Sequence, residues 1–271
     1  MKKLFPKITK PKRITVAFIS GILAVIAFII YQQIYQIMPQ ATIYFLSDIE
    51  TPTNQDTILF FSPHPDDESI AAGGYLHQAD INGAMVDIVL VTDGNKHGLK
   101  DLRYDEFTKA TGTLGINKDN LTFLNYPDGK LDSQNQDILT EQFVNILLTK
   151  KPTMVFFPNP NDTHKDHSTT GLRVIDALKK VNDSKIIDYE YLVHYRNFPE
   201  PKKYKPDMYL LPPQSLIQFD QEWKRFMLSP ELEKDKKAAI DSYQSQLKLY
   251  FLNNLMFGSI RKNEIFTQVK I

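Results

Sequence analysis

Between residues 57 and 181 the chain alternates, four times over, a short apolar run with a longer amphipathic stretch. The apolar runs lie in "TILFFS" (57–62), "AMVDIVLVTDG" (84–94), "LTFLNYPDG" (121–129) and "TMVFFPNPND" (153–162). Short, nearly continuous apolar runs read as strands buried on both faces, which is the pattern of a parallel sheet. The stretches between them read as helices: "DESIAAGGYLHQADING" (67–83), "DLRYDEFTKATGTLGI" (101–116), "DILTEQFVNILLTKK" (137–151) and "DHSTTGLRVIDALKKV" (166–181). The first carries acids in its opening turn and stops at Asn82-Gly83, as a helix should. The expected fold class is therefore α/β, a Rossmann-like, mostly parallel sheet with helices on both faces. Beyond residue 185 the signal weakens. "IIDYEYLVHYRNFP" reads as a further strand, "KKYKPDMYLLPPQ" as a loop and "PELEKDKKAAIDSYQSQLKLY" as a helix, while residues 251–271 show no pattern.

In open sheets of this kind ligands bind beyond the carboxyl ends of the strands. All four expected turns at that edge are polar: His64 to Asp67, Thr92-Asp93-Gly94, Asp128-Gly129, and His164 to His167. The first, "FSPHPDDESIAAGG", sets His64, Asp66, Asp67 and Glu68 against the end of a buried strand. Burial disfavours charged carboxylates, so a positive partner is required. His64 and Asp67 are three apart across a Pro-bounded turn, and in "NPNDTHKDHSTTG" His164 and His167 are also three apart, with Asp166 between them. Three of the six histidines lie in these two clusters. A His, Asp, His set with an open fourth position is a catalytic zinc arrangement. Asp66 would accept a proton from the water such an ion activates. The non-ligating histidine of the second pair would face a developing oxyanion, and Asp166 would hold its other nitrogen. Each cluster alone also fits a plainer role, acids favouring a helix start and histidines in solvent; their arrival at one sheet edge argues for the site. His77 and His97 receive no role, and His194, in an aromatic strand-like stretch, reads as a packed histidine.

Composition narrows the setting. The 271 residues include no cysteine, which excludes disulfides, thiolate metal sites and cysteine nucleophiles. Net charge is zero, but residues 1–13 hold six bases and no acid, so the rest has 26 bases against 32 acids. An acidic body argues against nucleic-acid binding. From Ile14 to Ser47 no residue is charged, and "ITVAFISGILAVIAFII" continues through "YQQIYQIM" to Met38. About 20 apolar residues span a bilayer. The expected organisation is a basic cytoplasmic tail (1–13), a transmembrane anchor (14–38), a linker (39–55) and one catalytic domain (56–271). The positive-inside rule places that domain outside the cell, on a single-pass cell-membrane protein. A cleaved signal peptide is the alternative; the apolar region is long for one, and no A-x-A site follows it. Both readings export the body.

"SPHPDDESIAAGG", "VTDG", "LRYDEFTKATGTLGI", "LNYPDG" and "HKDH", taken in order, resemble the PIG-L/LmbE-like family of zinc-dependent de-N-acetylases. The resemblance covers about residues 57–180 and continues more weakly to "KKAAIDSYQSQL". It implies a Rossmann-like fold and hydrolysis of an acetamido group on an N-acetylglucosamine-type sugar. It also implies His64, Asp67 and His167 as ligands of Zn2+ or another divalent metal, and Asp66 as general base. His164 would be oxyanion donor and acid to the leaving amine, with Asp166 its partner, and Arg103 and Asp128 would contact the sugar. The family often has Pro where Lys165 stands. With the anchor, the expected substrate is an N-acetylated envelope glycan, surface polysaccharide or glycolipid. Two other readings keep the metal: a carbohydrate-binding envelope module without turnover, and a non-haem iron oxygenase, since two histidines and a carboxylate also describe those sites. The extra carboxylate of Asp66 argues against the first, and the second lacks a co-substrate signal.

Overall fold

The computed structural model describes residues 10–35, 38–196, 198–218 and 221–269. Most of the expected basic tail thus lies outside the described residues. Helix α1 runs Lys10–Tyr35. Its side chains are described over 15–31, where all are exposed, Phe18 at 71%. Among the described residues no helix is long and apolar enough to cross a membrane.

The expected linker is not free. A 3-10 turn (Gln40–Phe45) leads into a two-residue strand β1 (Ser47–Asp48). Ile43 and Ile49 are buried, and the Gln40 amide exchanges hydrogen bonds of 3.2 and 2.6 Å with the Tyr209 backbone. The alternating region then follows as read: β2 (Thr57–Ser62), α2 (Asp67–Ile81), β3 (Met85–Thr92), α3 (Lys100–Thr113), β4 (Leu121–Tyr126), α4 (Gln136–Lys150), β5 (Met154–Pro158), α5 (Lys165–Val181) and β6 (Ile187–Tyr191). Two strands and three helices beyond it depart from expectation. Strand β7 (Glu222–Met227) was not foreseen, and the helix expected over 230–250 breaks into α6 (Pro230–Ile240) and α7 (Gln244–Leu247). The patternless end folds into α8 (Tyr250–Gly258) and β8 (Asn263–Val269).

The eight strands form one sheet in the order β1-β7-β8-β6-β5-β2-β3-β4. Only β8 runs against its neighbours, pairing antiparallel with both β6 and β7. Alternation along β2 divides the core. Ile58 and Phe60 join α2, α3, α6 and α8 on one face, while Leu59 and Phe61 join α4 and α5 on the other. The connections change face between β2 and β5, which are direct neighbours. This is the switch point of an open α/β sheet, where two loops part and leave a crevice. The loop after β2 with the start of α2 carries His64 to Asp67, and the loop after β5 with the first turn of α5 carries Asp162 to His167.

Candidate active site

Two backbone features set the first loop. Asp66 sits at φ 136° and ψ −25°, a conformation foreign to a non-glycine residue that costs about 1–3 kcal/mol. It turns the Asp66 side chain away from the helix start, so Asp66 makes no cap hydrogen bond to α2. Asp67 opens α2, and its Oδ2 accepts the His64 N–H at 2.8 Å. On the second loop His164 caps α5, its ring Nδ1 accepting the Asp166 N–H at 3.3 Å. With Nδ1 so occupied, a neutral His164 carries its proton on Nε2. Close packing of α5 fixes the distance between the loops: a Cβ at Gly171 would lie 2.2 Å from the Pro158 carbonyl oxygen.

His64, Asp67 and His167 converge on one point. His64 Nδ1 lies 3.1 Å from His167 Nε2 and 3.3 Å from Asp67 Oδ2, which is 3.1 Å from His167 Nε2. Donor atoms about 2.0–2.1 Å from a tetrahedral zinc ion stand about 3.4 Å apart, so the triangle fits a divalent ion. Asp67 is fully buried, and its Oδ1 has no hydrogen-bond partner. The far side of each imidazole meets a carboxylate. His64 Nε2 is 3.0 Å from Asp166 Oδ2, and His167 Nδ1 is 3.3 Å from Asp162 Oδ2. The His64–Asp166 hydrogen bond favours the tautomer that turns a lone pair toward the centre, as second carboxylates do at metal histidines; the His167–Asp162 contact is an ion-pair distance without hydrogen-bond alignment.

Asp166 departs from its expected role. Its carboxylate accepts the N–H groups of Gly129 at 2.6 Å and Leu131 at 3.0 Å and faces His64, not the His164 ring. The first turn of α5 aims it across the crevice at the loop after β4, so it reaches His164 only through its backbone N–H. Arg103, one turn into α3, is buried rather than on a helix surface. It donates to the carbonyls of Pro65 at 2.8 Å and Gly94 at 3.2 Å, and pairs with Asp66 at 3.3 Å and Asp128 at 3.4 Å. Gly94 permits this contact: it has φ +60°, and a Cβ there would stand 3.0 Å from the Pro65 ring. Asp128 in turn lies 3.5 Å from His64 Nε2. All eight residues expected at the site thus meet around one cavity or directly behind it.

Two residues escaped the sequence reading. Asp162 supports His167 and also ties the loops, accepting the N–H groups of His164 at 2.9 Å and His194 at 2.8 Å. His194 is not packed away; its ring stands 4.9 Å from that of His167 and 5.4 Å from that of His164, and it lines the cavity. Asp162 was visible in "NPNDTHKDH", two residues before His164, but nothing in one sequence places β6 beside β5. His77 is tied to the Leu114 carbonyl and Asp235, away from the site, and His97 lies exposed at the cavity rim.

The electrostatics separate two carboxylates that are adjacent in sequence. Burial opposes the charge on Asp67, yet His167 and His64 hold it well below the usual carboxylate range. Burial pushes Asp66 up to about 8; Arg103 offsets part of this, and the charge on Asp67 adds to it. His64 is held protonated up to about 9, because hydrogen bonds to Asp166 and Asp67 outweigh its burial. Burial and the neighbouring imidazoles push His164 down to about 4, so it is neutral at pH 7.

The cavity above these groups has a volume of about 650 Å³, a polar floor and an apolar wall of Leu249, Tyr250 and Phe251. Fold and site together define an α/β protein with a His–Asp–His centre at the switch point of its sheet. Residues 59–178 match the family of GlcNAc-PI de-N-acetylases, PIG-L. Among curated proteins it is similar to the diacetylchitobiose deacetylase of Thermococcus kodakarensis, 27% identical over 133 residues, 45% of this chain and 48% of that protein. It is also similar to a Bacillus cereus protein named "Probable N-acetyl-alpha-D-glucosaminyl L-malate deacetylase 2", 28% identical over 138 residues, 46% of this chain and 61% of that one. The chain therefore spans less than two thirds of the curated relatives it matches. Among solved structures, the N,N'-diacetylchitobiose deacetylase of Pyrococcus horikoshii superposes with a TM-score of 0.60 at 23% identity, covering 82% of this chain and 87% of that one.

Proposed function

We propose that this protein is a metal-dependent hydrolase that removes the acetyl group from an N-acetylglucosamine-type sugar. The observation that carries this reading is the 3.1–3.3 Å triangle of His64, Asp67 and His167 with the carboxylate of Asp66 beside it. The family is named for GlcNAc-PI, and the two relatives for diacetylchitobiose and an N-acetylglucosaminyl malate; the acetylated glucosamine is what these names share. His64 Nδ1, His167 Nε2 and Asp67 would hold the ion, which we take to be zinc. Bound there, such an ion polarises an amide carbonyl and makes water nucleophilic near neutral pH.

The remaining steps belong to side chains. Asp66, which lines the cavity, accepts a proton from the attacking water as the ionised carboxylate, the form a cation held beside it would favour. The water oxygen bonds to the acetamido carbon, and the carbonyl oxygen takes the negative charge. His164, neutral with its proton on Nε2, donates a hydrogen bond to that oxygen. The C–N bond then breaks and the proton held by Asp66 passes to the amine, a step expected of His164 but for which a neutral imidazole is a poor acid; the acetic acid formed loses its remaining proton to solvent and leaves as acetate. Arg103 and Asp128 fix the approach of the sugar, one as donor and the other as acceptor.

The charge-free segment from Ile14 to Ser47, preceded by six bases, supports a membrane anchor with the catalytic body outside. The apolar side chains described in α1 are exposed and need a cover. On this reading the sugar belongs to an envelope glycan, polysaccharide or glycolipid.

Acetate release by the full chain in detergent, tested on N-acetylglucosamine oligomers, glycolipids and cell-wall fragments, examines the chemistry. Acetate must appear with wild type and vanish with Asp66→Asn. A metal-loaded protein that releases none from any of these sugars would sink the reading. Alkaline extraction of cell membranes, with the chain staying in the pellet, tests the anchor.

A further inference from the structure

The segment "KKAAIDSYQSQL" lies outside the 59–178 match, yet it reaches the back of the site at three points. Lys236 and Glu264 form a 2.7 Å ion pair, both fully buried. Glu264 also accepts the N–H groups of Gly74 and Tyr75, at 2.8 and 2.9 Å, just beyond a kink of α2 at Ala72. Ser245 binds both oxygens of Glu106, one turn along α3 from Arg103. The third point is the closest to the chemistry. The Tyr243 hydroxyl donates to Oε1 of Glu68, which also accepts from Ser69 Oγ at 2.6 Å. The other oxygen, Oε2, accepts the N–H of Asp66 at 3.3 Å and Ser62 Oγ at 3.4 Å.

Glu68 is therefore a buried carboxylate joining the end of β2, the Asp66 backbone and the α6–α7 corner. It does not touch the cavity, and neither does Tyr243. A surface acid favoured by a helix start would need none of these four partners. What they hold is the one residue of the loop with a disfavoured backbone, Asp66 at φ 136°. Without a fixed acceptor for its N–H, this residue relaxes toward an ordinary conformation and its carboxylate swings out of the cavity.

We infer that Tyr243 is a positioning residue: by fixing the Glu68 carboxylate it locks the Asp66 backbone and so aims the Asp66 side chain. This rests on the hydrolase reading for its catalytic consequence but not for its structural one. A general base displaced by about 1 Å costs about 10²-fold in rate, while metal ligation by His64, Asp67 and His167 does not pass through Tyr243.

The test is Tyr243→Phe in the full chain, beside Glu68→Gln, which keeps the shape of the side chain but replaces one acceptor oxygen by a donor. Four quantities are read: kcat and KM for acetate release, bound metal per chain, thermal midpoint, and amide hydrogen exchange of the peptide 62–69. Both variants should lower kcat about 10- to 100-fold, leave KM and bound metal within about twofold of wild type, and exchange the 62–69 amides faster. Unchanged kcat with unchanged exchange overturns the inference. So does a fall in kcat matched by equal losses of metal and thermal midpoint, since that is damage to the fold. If wild type releases no acetate from any sugar, the proposed function fails, and faster exchange at 62–69 still separates a working brace from an idle contact.

Discussion

His64 and Asp166 face each other across the crevice, Nε2 to Oδ2, at 3.0 Å, although 102 residues separate them in the chain. Asp166 is anchored by two backbone N–H groups from a third loop, so it is a fixed acceptor rather than a mobile partner. Replacing Asp166 by Asn should therefore disturb the metal before it disturbs the sugar. We expect metal affinity to fall about 10- to 100-fold, the usual cost of losing such a partner. Competition with a chromogenic chelator measures it, and an unchanged affinity would contradict the role assigned to Asp166.

Metal affinity should also depend steeply on pH. His64 is held protonated up to about 9 in the absence of an ion, and an imidazole must lose its proton to ligate. Affinity is then expected to climb by at least tenfold per pH unit from 6.5 toward 9, and more steeply where His167, held protonated by Asp67 and Asp162, must give up its proton as well. Isothermal titration at several pH values, corrected for buffer ionisation, follows both the affinity and the released proton.

Asp66 makes the opposite kind of prediction, about stability. Its folded-state pKa is raised to about 8, so between about 4 and 8 the folded chain binds a proton that the unfolded chain has lost. Stability of the metal-free protein therefore falls as pH rises through that window. Asp66→Asn removes the penalty, and the metal-free variant should be more stable than wild type at pH 8, by a few kcal/mol at most, with the difference closing near pH 4. The same substitution removes turnover. Urea unfolding at the two pH values reads the first effect, and acetate release the second.

Arg103 contacts two carbonyls and two carboxylates at once, a geometry a point-charge ammonium cannot copy. Arg103→Lys is expected to lower kcat/KM by about 10²-fold, with bound metal unchanged. Steady-state kinetics with parallel metal analysis decides it; full activity in the lysine variant would remove Arg103 from the site.

Lys236→Met tests the buried pair. It leaves the Glu264 carboxylate without its cation in a fully buried place, which typically costs about 3–5 kcal/mol. Replacing Lys236 and Glu264 together by Met and Gln should recover part of this, because the uncompensated charge is gone. Chemical denaturation of the three proteins gives the comparison.

The legible part of the molecule was the part written in apolar runs. "TILFFS" and "TMVFFP" are buried on both faces, and such strands announce themselves. β7 and β8 do not, because "EWKRFM" and "NEIFTQV" bury polar groups: Lys224 packs its stem, Asn263 bonds the Leu210 backbone, and Glu264 caps the kinked α2. In a single sequence those residues look like surface. The eight residues expected at the site come together because each stands in a turn at the same sheet edge or in a helix beside it. Asp162, His194 and the carboxylate contact of Asp166 were not legible, since they depend on which loops the sheet order brings together. The break at Asp241–Tyr243 was hidden for a related reason: its purpose is a contact with Glu68, 175 residues away.

The placement of β8 bears on how the molecule is made. A ribosome delivers β6 and then β7, but these two strands are not neighbours; β8 must slide between them and pair with both. Until residues 263–269 emerge, no strand ladder among the described residues joins β1 and β7 to the other five strands. Glu264, which clasps α2 behind the site, arrives in that same strand. From the end of β7 at Met227 until β8 arrives, the nascent chain therefore carries two open sheet edges, and it closes both in one late step, a topology of long-range pairings that folds slowly.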